Sequence, residues 1–204
     1  MFARPALAVA LLVAAAGPSP AGKFNKTLSV GDAAPAWENL AGTDGKKHAL
    51  ADLKDKDVVV VVFTCNSCPV AEGYEDRIAA FAKAHAGAKV GVVAINVNTA
   101  KDDALPAMTA RAAKKKFPFA YLYDPSQGIA RKYGAGFTPE FFVLDKARTV
   151  VYTGAMDDKG PPGEATVKYV EAAVAAALAG KPAATPETSP AAGCRIKFNP
   201  KSDE

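Results

Sequence analysis

The chain has 204 residues, half of them hydrophobic and 23% charged, with 25 Lys and Arg against 21 Asp and Glu and a net charge of +4. That balance supports one globular domain with tails and excludes wholesale disorder. It also excludes a nucleic-acid binder built on a strongly basic surface, because Lys114-Lys115-Lys116 is too short a run and reads as the solvated face of a helix.

In chain order, Arg4 and the apolar stretch from Ala6 to Ala16 read as a secretory leader. Ala14-Ala15-Ala16 or Ser19-Pro20-Ala21 supplies the small-residue cleavage site, so residues 1–21 are assigned to it. Eleven apolar residues are too few for a bilayer, which takes about 20. A secreted or periplasmic protein without stable membrane insertion is therefore expected. From Lys23 to Asp57, turn clusters at Gly31-Asp32-Ala33-Ala34-Pro35 and Gly42-Thr43-Asp44-Gly45 separate short apolar pieces, which predicts a small hairpin on the domain edge. Val58–Phe63 is an unbroken apolar run suited to a strand buried on both faces. From Ser67 to about His85, Val70, Tyr74, Ile78, Phe81 and Ala82 recur at helical spacing, with Glu72, Glu75, Asp76 and Lys83 facing water.

Val90–Val97 reads as a second buried strand and Asp102 to Lys116 as a helix with Pro106 in its first turn. Phe119–Tyr123 is extended, and Asp124-Pro125-Ser126 caps a helix to about Tyr133. Phe141–Leu144 and Thr149–Thr153 flank a turn and predict a β-hairpin. A last helix is expected from Glu164 to Ala179, with Val167, Val170, Val174 and Leu178 on its apolar face. Residues 181–204, opening with a stretch rich in Pro, Ala and Thr, read as a flexible C-terminal tail carrying Cys194. Asp157-Asp158 is taken as a solvated turn. The order gives an α/β sandwich with a mixed central sheet.

Cys65-Asn66-Ser67-Cys68 sits where the buried strand gives way to a helix. The unpaired N–H groups of a helix start favour a thiolate, so Cys65 is expected to be ionised and reachable, with Cys68 one turn on to resolve a mixed disulfide. The competing readings are a structural bridge and half of a zinc site. A bridge across two residues closes too small a loop to stabilise much. Zinc wants four ligands, and only Cys194, His48 and His85 remain, none at paired spacing. Cys194 is either an incidental tail cysteine or a third redox partner, since outside the cytosol three cysteines leave one over.

The strand-CxxC-helix unit, the Thr138-Pro139 pair before Phe141–Leu144 and the element order together resemble the thioredoxin superfamily. The resemblance is to its redoxin branch, the extracytoplasmic thioredoxin-like and peroxiredoxin-like (AhpC/TSA-type) proteins, and spans residues 28–180. Phe63-Thr64-Cys65-Asn66-Ser67-Cys68-Pro69 and Gly193-Cys194-Arg195-Ile196-Lys197-Phe198 carry it further, toward a peroxiredoxin-like subgroup. It implies a thioredoxin-like α/β/α sandwich, a cis Pro139 beside the CxxC, and Thr138 offering backbone groups to an extended client. Three positions depart from relatives. Thr64 replaces the aromatic residue before the first cysteine, Val59 replaces a buried carboxylate, and Val58 and Val62 stand where peroxiredoxins place a proline and a peroxide-orienting threonine.

The expected activity is that of an exported thiol-disulfide oxidoreductase in which Cys65 attacks, Cys68 resolves and Thr138 with Pro139 positions the client. No cofactor beyond the redox-active disulfide is needed and no metal is expected. Its partners would be protein or small-molecule disulfides and an electron-donor or electron-acceptor protein. The alternatives are a thiol peroxidase passing through a Cys65 sulfenic acid and a copper-binding chaperone using soft thiolates.

Overall fold

The computed structural model describes residues 22–87, 89–190 and 192–200, so the leader assigned to residues 1–21 lies outside the described residues. Gly45, at φ 77°, turns the expected N-terminal hairpin of β1 (Leu40–Gly42) and β2 (Lys47–His48). Then come β3 (Val58–Thr64), α1 (Pro69–Ala84), β4 (Val90–Asn96), α2 (Leu105–Lys115), β5 (Ala120–Tyr123) and α3 (Gly128–Tyr133). They are followed by β6 (Phe137–Thr138), β7 (Glu140–Leu144), β8 (Val150–Gly154), α4 (Tyr169–Leu178) and β9 (Cys194–Arg195).

Seven strands form one sheet in the order β2-β1-β5-β4-β3-β7-β8, parallel from β5 through β3 and antiparallel outward from there. β3 lies inside it, between β4 and β7, with every residue buried. Its alternation splits the interior into two cores. Val58, Val60 and Val62 pack with Tyr74, Ile78 and Phe81 of α1, Met108 of α2 and Val170 and Val174 of α4. Val59, Val61 and Phe63 pack with Trp37, with Ile129 and Tyr133 of α3, and with Ile196. Each such side chain contributes about 1.5–3 kcal/mol relative to exposure, so a strand buried on both faces is the most strongly held element. Its C-terminal end carries the CxxC, which is why those two cysteines have a rigid base.

Four expectations change. The last helix begins at Tyr169 rather than near Glu164, because the Asp158 carboxylate accepts the N–H groups of Thr166 and Val167 and holds them in a loop. Val167 and Leu178, expected on its apolar face, are 45% exposed. Glu75 is buried rather than solvated, paired with Arg111 at 3.1 Å and Lys115 at 3.5 Å, both from α2. Asp157 is likewise buried, accepting from the Tyr74 hydroxyl at 3.1 Å and Arg77 at 2.5 Å.

The fourth change is the largest. The segment expected as a flexible tail is strapped across the domain at both ends. Glu187 accepts the N–H groups of Lys23, Phe24 and Asn25 at 2.7–2.9 Å, and the Thr188 N–H donates to the Thr153 carbonyl of β8. Beyond Cys194, Ile196 is buried in the core, its N–H donating to the Gly136 carbonyl at 2.9 Å. The buried Gln127 donates to the Lys197 carbonyl and accepts from the Asn199 N–H. The proline-rich composition therefore marks an extended path rather than a loose one.

Candidate active site

β3 delivers Cys65 directly beyond Thr64, and α1 begins at Pro69 with Cys68 as its N-cap residue. Pro69 has no N–H to lose at the first helical position, and the Cys68 sulfur accepts the Ala71 N–H at 3.5 Å. Both cysteines lie against Thr138. The Cys65 Sγ is 3.3 Å from the Thr138 hydroxyl, and the Cys68 Sγ is 3.3 Å from the Thr138 carbonyl oxygen. The Thr138–Pro139 peptide is cis. Residues 73 positions apart in the chain are thus brought into one cluster.

Cys194 completes it. β9 pairs antiparallel with β6, setting Cys194 opposite Thr138 and Arg195 opposite Phe137. The Cys194 N–H donates to the Cys68 sulfur at 3.3 Å. Three thiols therefore meet at one backbone turn, two of them buried and Cys194 exposed.

Their ionisation reverses the expectation. Burial pushes the Cys65 thiol up; the Thr138 hydroxyl opposes this, and the Asp103 carboxylate and the Cys68 sulfur add to the rise. Cys65 is 2% and Cys68 1% exposed, so neither sulfur of the pair is open to solvent in this conformation and Cys65 is not the more acidic of the two. Burial also acts against a Cys68 thiolate, but the Cys194 thiol, the Ala71 N–H and the Cys194 N–H outweigh it and lower the pKa. The Cys194 thiol, sharing its proton with Cys68, is pushed up to about 11. The physical reason is first the Cys194 thiol that the strap brings to Cys68, and second the helix start, since α1 begins one residue after Cys68 and its capping Ala71 N–H serves the second cysteine.

Two buried carboxylates that the sequence reading did not single out hold this arrangement. Asp103 accepts from the Asn66 N–H at 2.7 Å, the Ser67 N–H at 3.2 Å, the Ser67 hydroxyl at 2.5 Å and the Asn96 side-chain amide at 3.2 Å. It fixes the two residues between the cysteines. Glu140, directly after Pro139, accepts the N–H groups of Gly136 and Phe137 at 2.8 and 3.1 Å and fixes the loop leading into Thr138. Burial lifts its pKa to about 7 against those two bonds. A carboxylate in an otherwise apolar strand start was the available signal for Glu140. Nothing local marks Asp103. One hollow of 380 Å³ is lined by Asn66 and Ser67 of the CxxC turn with Arg111, and another of 510 Å³ by Val70, Tyr74, Thr188 and Ala192; a cysteine lines neither.

The family model described as Redoxin matches residues 29–173. A hypothetical protein of Sinorhizobium meliloti 1021, known from its crystal structure, is 35% identical with a TM-score of 0.78, over 86% of this chain and 97% of that one. An uncharacterized conserved protein of Geobacillus kaustophilus is 32% identical with a TM-score of 0.79, over 87% and 96%. A candidate thiol:disulfide interchange protein, DsbE, of Chlorobium tepidum is 25% identical with a TM-score of 0.54, over 62% and 84%. A search of curated proteins found no match.

Proposed function

The chain belongs to the redoxin family, with a thioredoxin-like fold and a thiol redox function, and from that premise we propose that it is an exported thiol-disulfide oxidoreductase working through Cys65 and Cys68. One observation carries the reading: both sulfurs touch Thr138, one at its hydroxyl and one at its carbonyl, each at 3.3 Å. A disulfide client taking the place of β9 along Thr138 would put its own sulfur beside the pair. Pro139 has no N–H, which leaves the Thr138 backbone as the pairing edge for that client.

Exchange proceeds by attack of a thiolate on a disulfide sulfur. The lowered pKa of Cys68 makes it the sulfur that ionises more readily while the strap is docked, and Cys65 the partner that closes or reopens the intramolecular bond. This replaces the assignment of Cys65 as the resting thiolate. A protein or small-molecule disulfide is the substrate class, and the redox-active disulfide is the whole of the cofactor requirement.

The test is reduction of insulin disulfides by dithiothreitol in the presence of the purified protein. Acceleration lost on Cys65→Ser and on Cys68→Ser is the expected result; a wild-type rate equal to background overturns the proposal. Peroxide consumption faster than insulin reduction would point to the peroxidase alternative instead. The potential of the pair then gives direction, a reductant near about −270 mV and an oxidant near about −120 mV. Export is tested separately by sequencing the mature N-terminus after secretion.

A further inference from the structure

We propose that residues 193–199 are a resident client: β9 fills the pairing edge at Thr138, and Cys194 exchanges disulfides with Cys68. This rests on Cys65 and Cys68 being an exchange pair. Three independent features of the strap support it. β9 runs antiparallel to β6 with Cys194 opposite Thr138, the edge on which an extended client would pair. Gly193 lies flat on that edge, so close that a Cβ there would sit 2.1 Å from the Thr138 carbonyl oxygen and 2.8 Å from its carbon. Any larger residue would lift the strand off. The far side is anchored by Ile196 in the core, by the Arg131 guanidinium 4.4 Å above the Phe198 ring and by the Gln127 bonds.

The exchange is an isomerisation that balances within the chain. A disulfide substrate of the proposed activity first leaves Cys65 and Cys68 bonded. The Cys194 thiolate then attacks the Cys68 Sγ, a Cys68–Cys194 bond forms, and the Cys65–Cys68 bond breaks. The electron pair leaves on the Cys65 Sγ, which takes up the proton that Cys194 gave away. One disulfide and one thiol stand on each side, so no further oxidant is used. The result moves the oxidising equivalent from two buried sulfurs to one exposed sulfur. A thiol attacking Cys194 from outside gives up its proton, bonds to Cys194 and expels Cys68 as a thiolate, which leaves into the Ala71 and Cys194 N–H groups. Cys194 thereby relays between the covered pair and partners that never enter the groove.

The experiment oxidises the full chain with glutathione disulfide, blocks free thiols with N-ethylmaleimide and maps bridges by mass spectrometry after digestion without reductant. Wild type is expected to yield both Cys65–Cys68 and Cys68–Cys194 peptides. Cys65→Ser is expected to yield intramolecular Cys68–Cys194 at least tenfold over its glutathione adducts. Gly193→Val is expected to lower the Cys68–Cys194 yield at least tenfold while Cys65–Cys68 still forms. A wild-type Cys194 that stays fully alkylated overturns the proposal, and so does a Cys68–Cys194 yield unchanged by Gly193→Val. If Cys65→Ser fails to fold, the wild-type map decides alone. Cys68–Cys194 bridging without insulin reduction would support the resident client and sink the oxidoreductase reading; insulin reduction with Cys194 never bridged would do the reverse.

Discussion

Asp103 and Glu140 hold opposite sides of the same site, one under the cysteine loop and one under the proline loop, and they differ in how well they are satisfied. Asp103 receives hydrogen bonds from four donors, two of them backbone N–H groups in the CxxC turn. Glu140 receives two and is lifted to about 7. An ionised carboxylate has roughly four lone-pair sites to fill. The comparison shows the cysteine side built around a fully engaged acceptor, whereas the side carrying Thr138 and the strap is held by a group that changes charge near neutrality.

Removing Asp103 is the severest way to break that contrast. Asp103→Ala removes the charged acceptor of the buried Asn66 N–H and Asn96 amide, and at about 1.5–3 kcal/mol for each of these two bonds the loss is about 4 kcal/mol, read by urea denaturation. It also removes a charge that raises Cys65, so the alkylation profile of Cys65 moves to lower pH.

Glu140 gives the next largest effect. Its folded pKa lies above the unfolded value of 4.5, so between those values the folded chain binds more protons and stability falls as pH rises. Above about 7 the loss is complete and constant, near 3 kcal/mol at about 1.4 kcal/mol for each pKa unit. Glu140→Gln keeps an oxygen for the two N–H groups and removes the charge. Its melting temperature is expected to exceed wild type at pH 8 and to lose the slope between pH 5 and 7. A wild-type stability that rises across that window would contradict the assignment.

The smallest effect sharpens the view from the sulfur. Thr138→Val preserves shape and backbone but deletes the hydroxyl 3.3 Å from Cys65. The expected cost is about 1 kcal/mol. Because that hydroxyl lowers Cys65, the alkylation profile of Cys65 moves to higher pH, opposite to Asp103→Ala. Shifts of the same sign in both variants would rule out this electrostatic account.

Much of the scaffold was legible in sequence. Val58–Phe63 announced a central strand because six consecutive apolar residues leave no polar face, and Thr138-Pro139 marked the turn beside the CxxC once the element order was known. Helix ends were read less well. Helical spacing from Ser67 onward puts the start of α1 too early, and the capping N–H falls to Cys68 rather than Cys65. Glu75 and Asp157 looked solvated because their partners Arg111 and Arg77 come from other helical faces. The tail looked loose because its anchors are a glutamate binding amides 162 to 164 residues away and an isoleucine that joins a core built elsewhere.

What the sequence determined alone was periodicity and local chemistry: a doubly buried strand, a helix behind it, two cysteines at their junction and a third near the C-terminus. Only the tertiary structure decided which sulfur is the more acidic and what covers the pair. Thiol acidity depends on burial, on nearby charge and on hydrogen-bond donors, and the Cys194 and Thr138 donors and the Asp103 carboxylate arrive from chain positions whose approach no local pattern records.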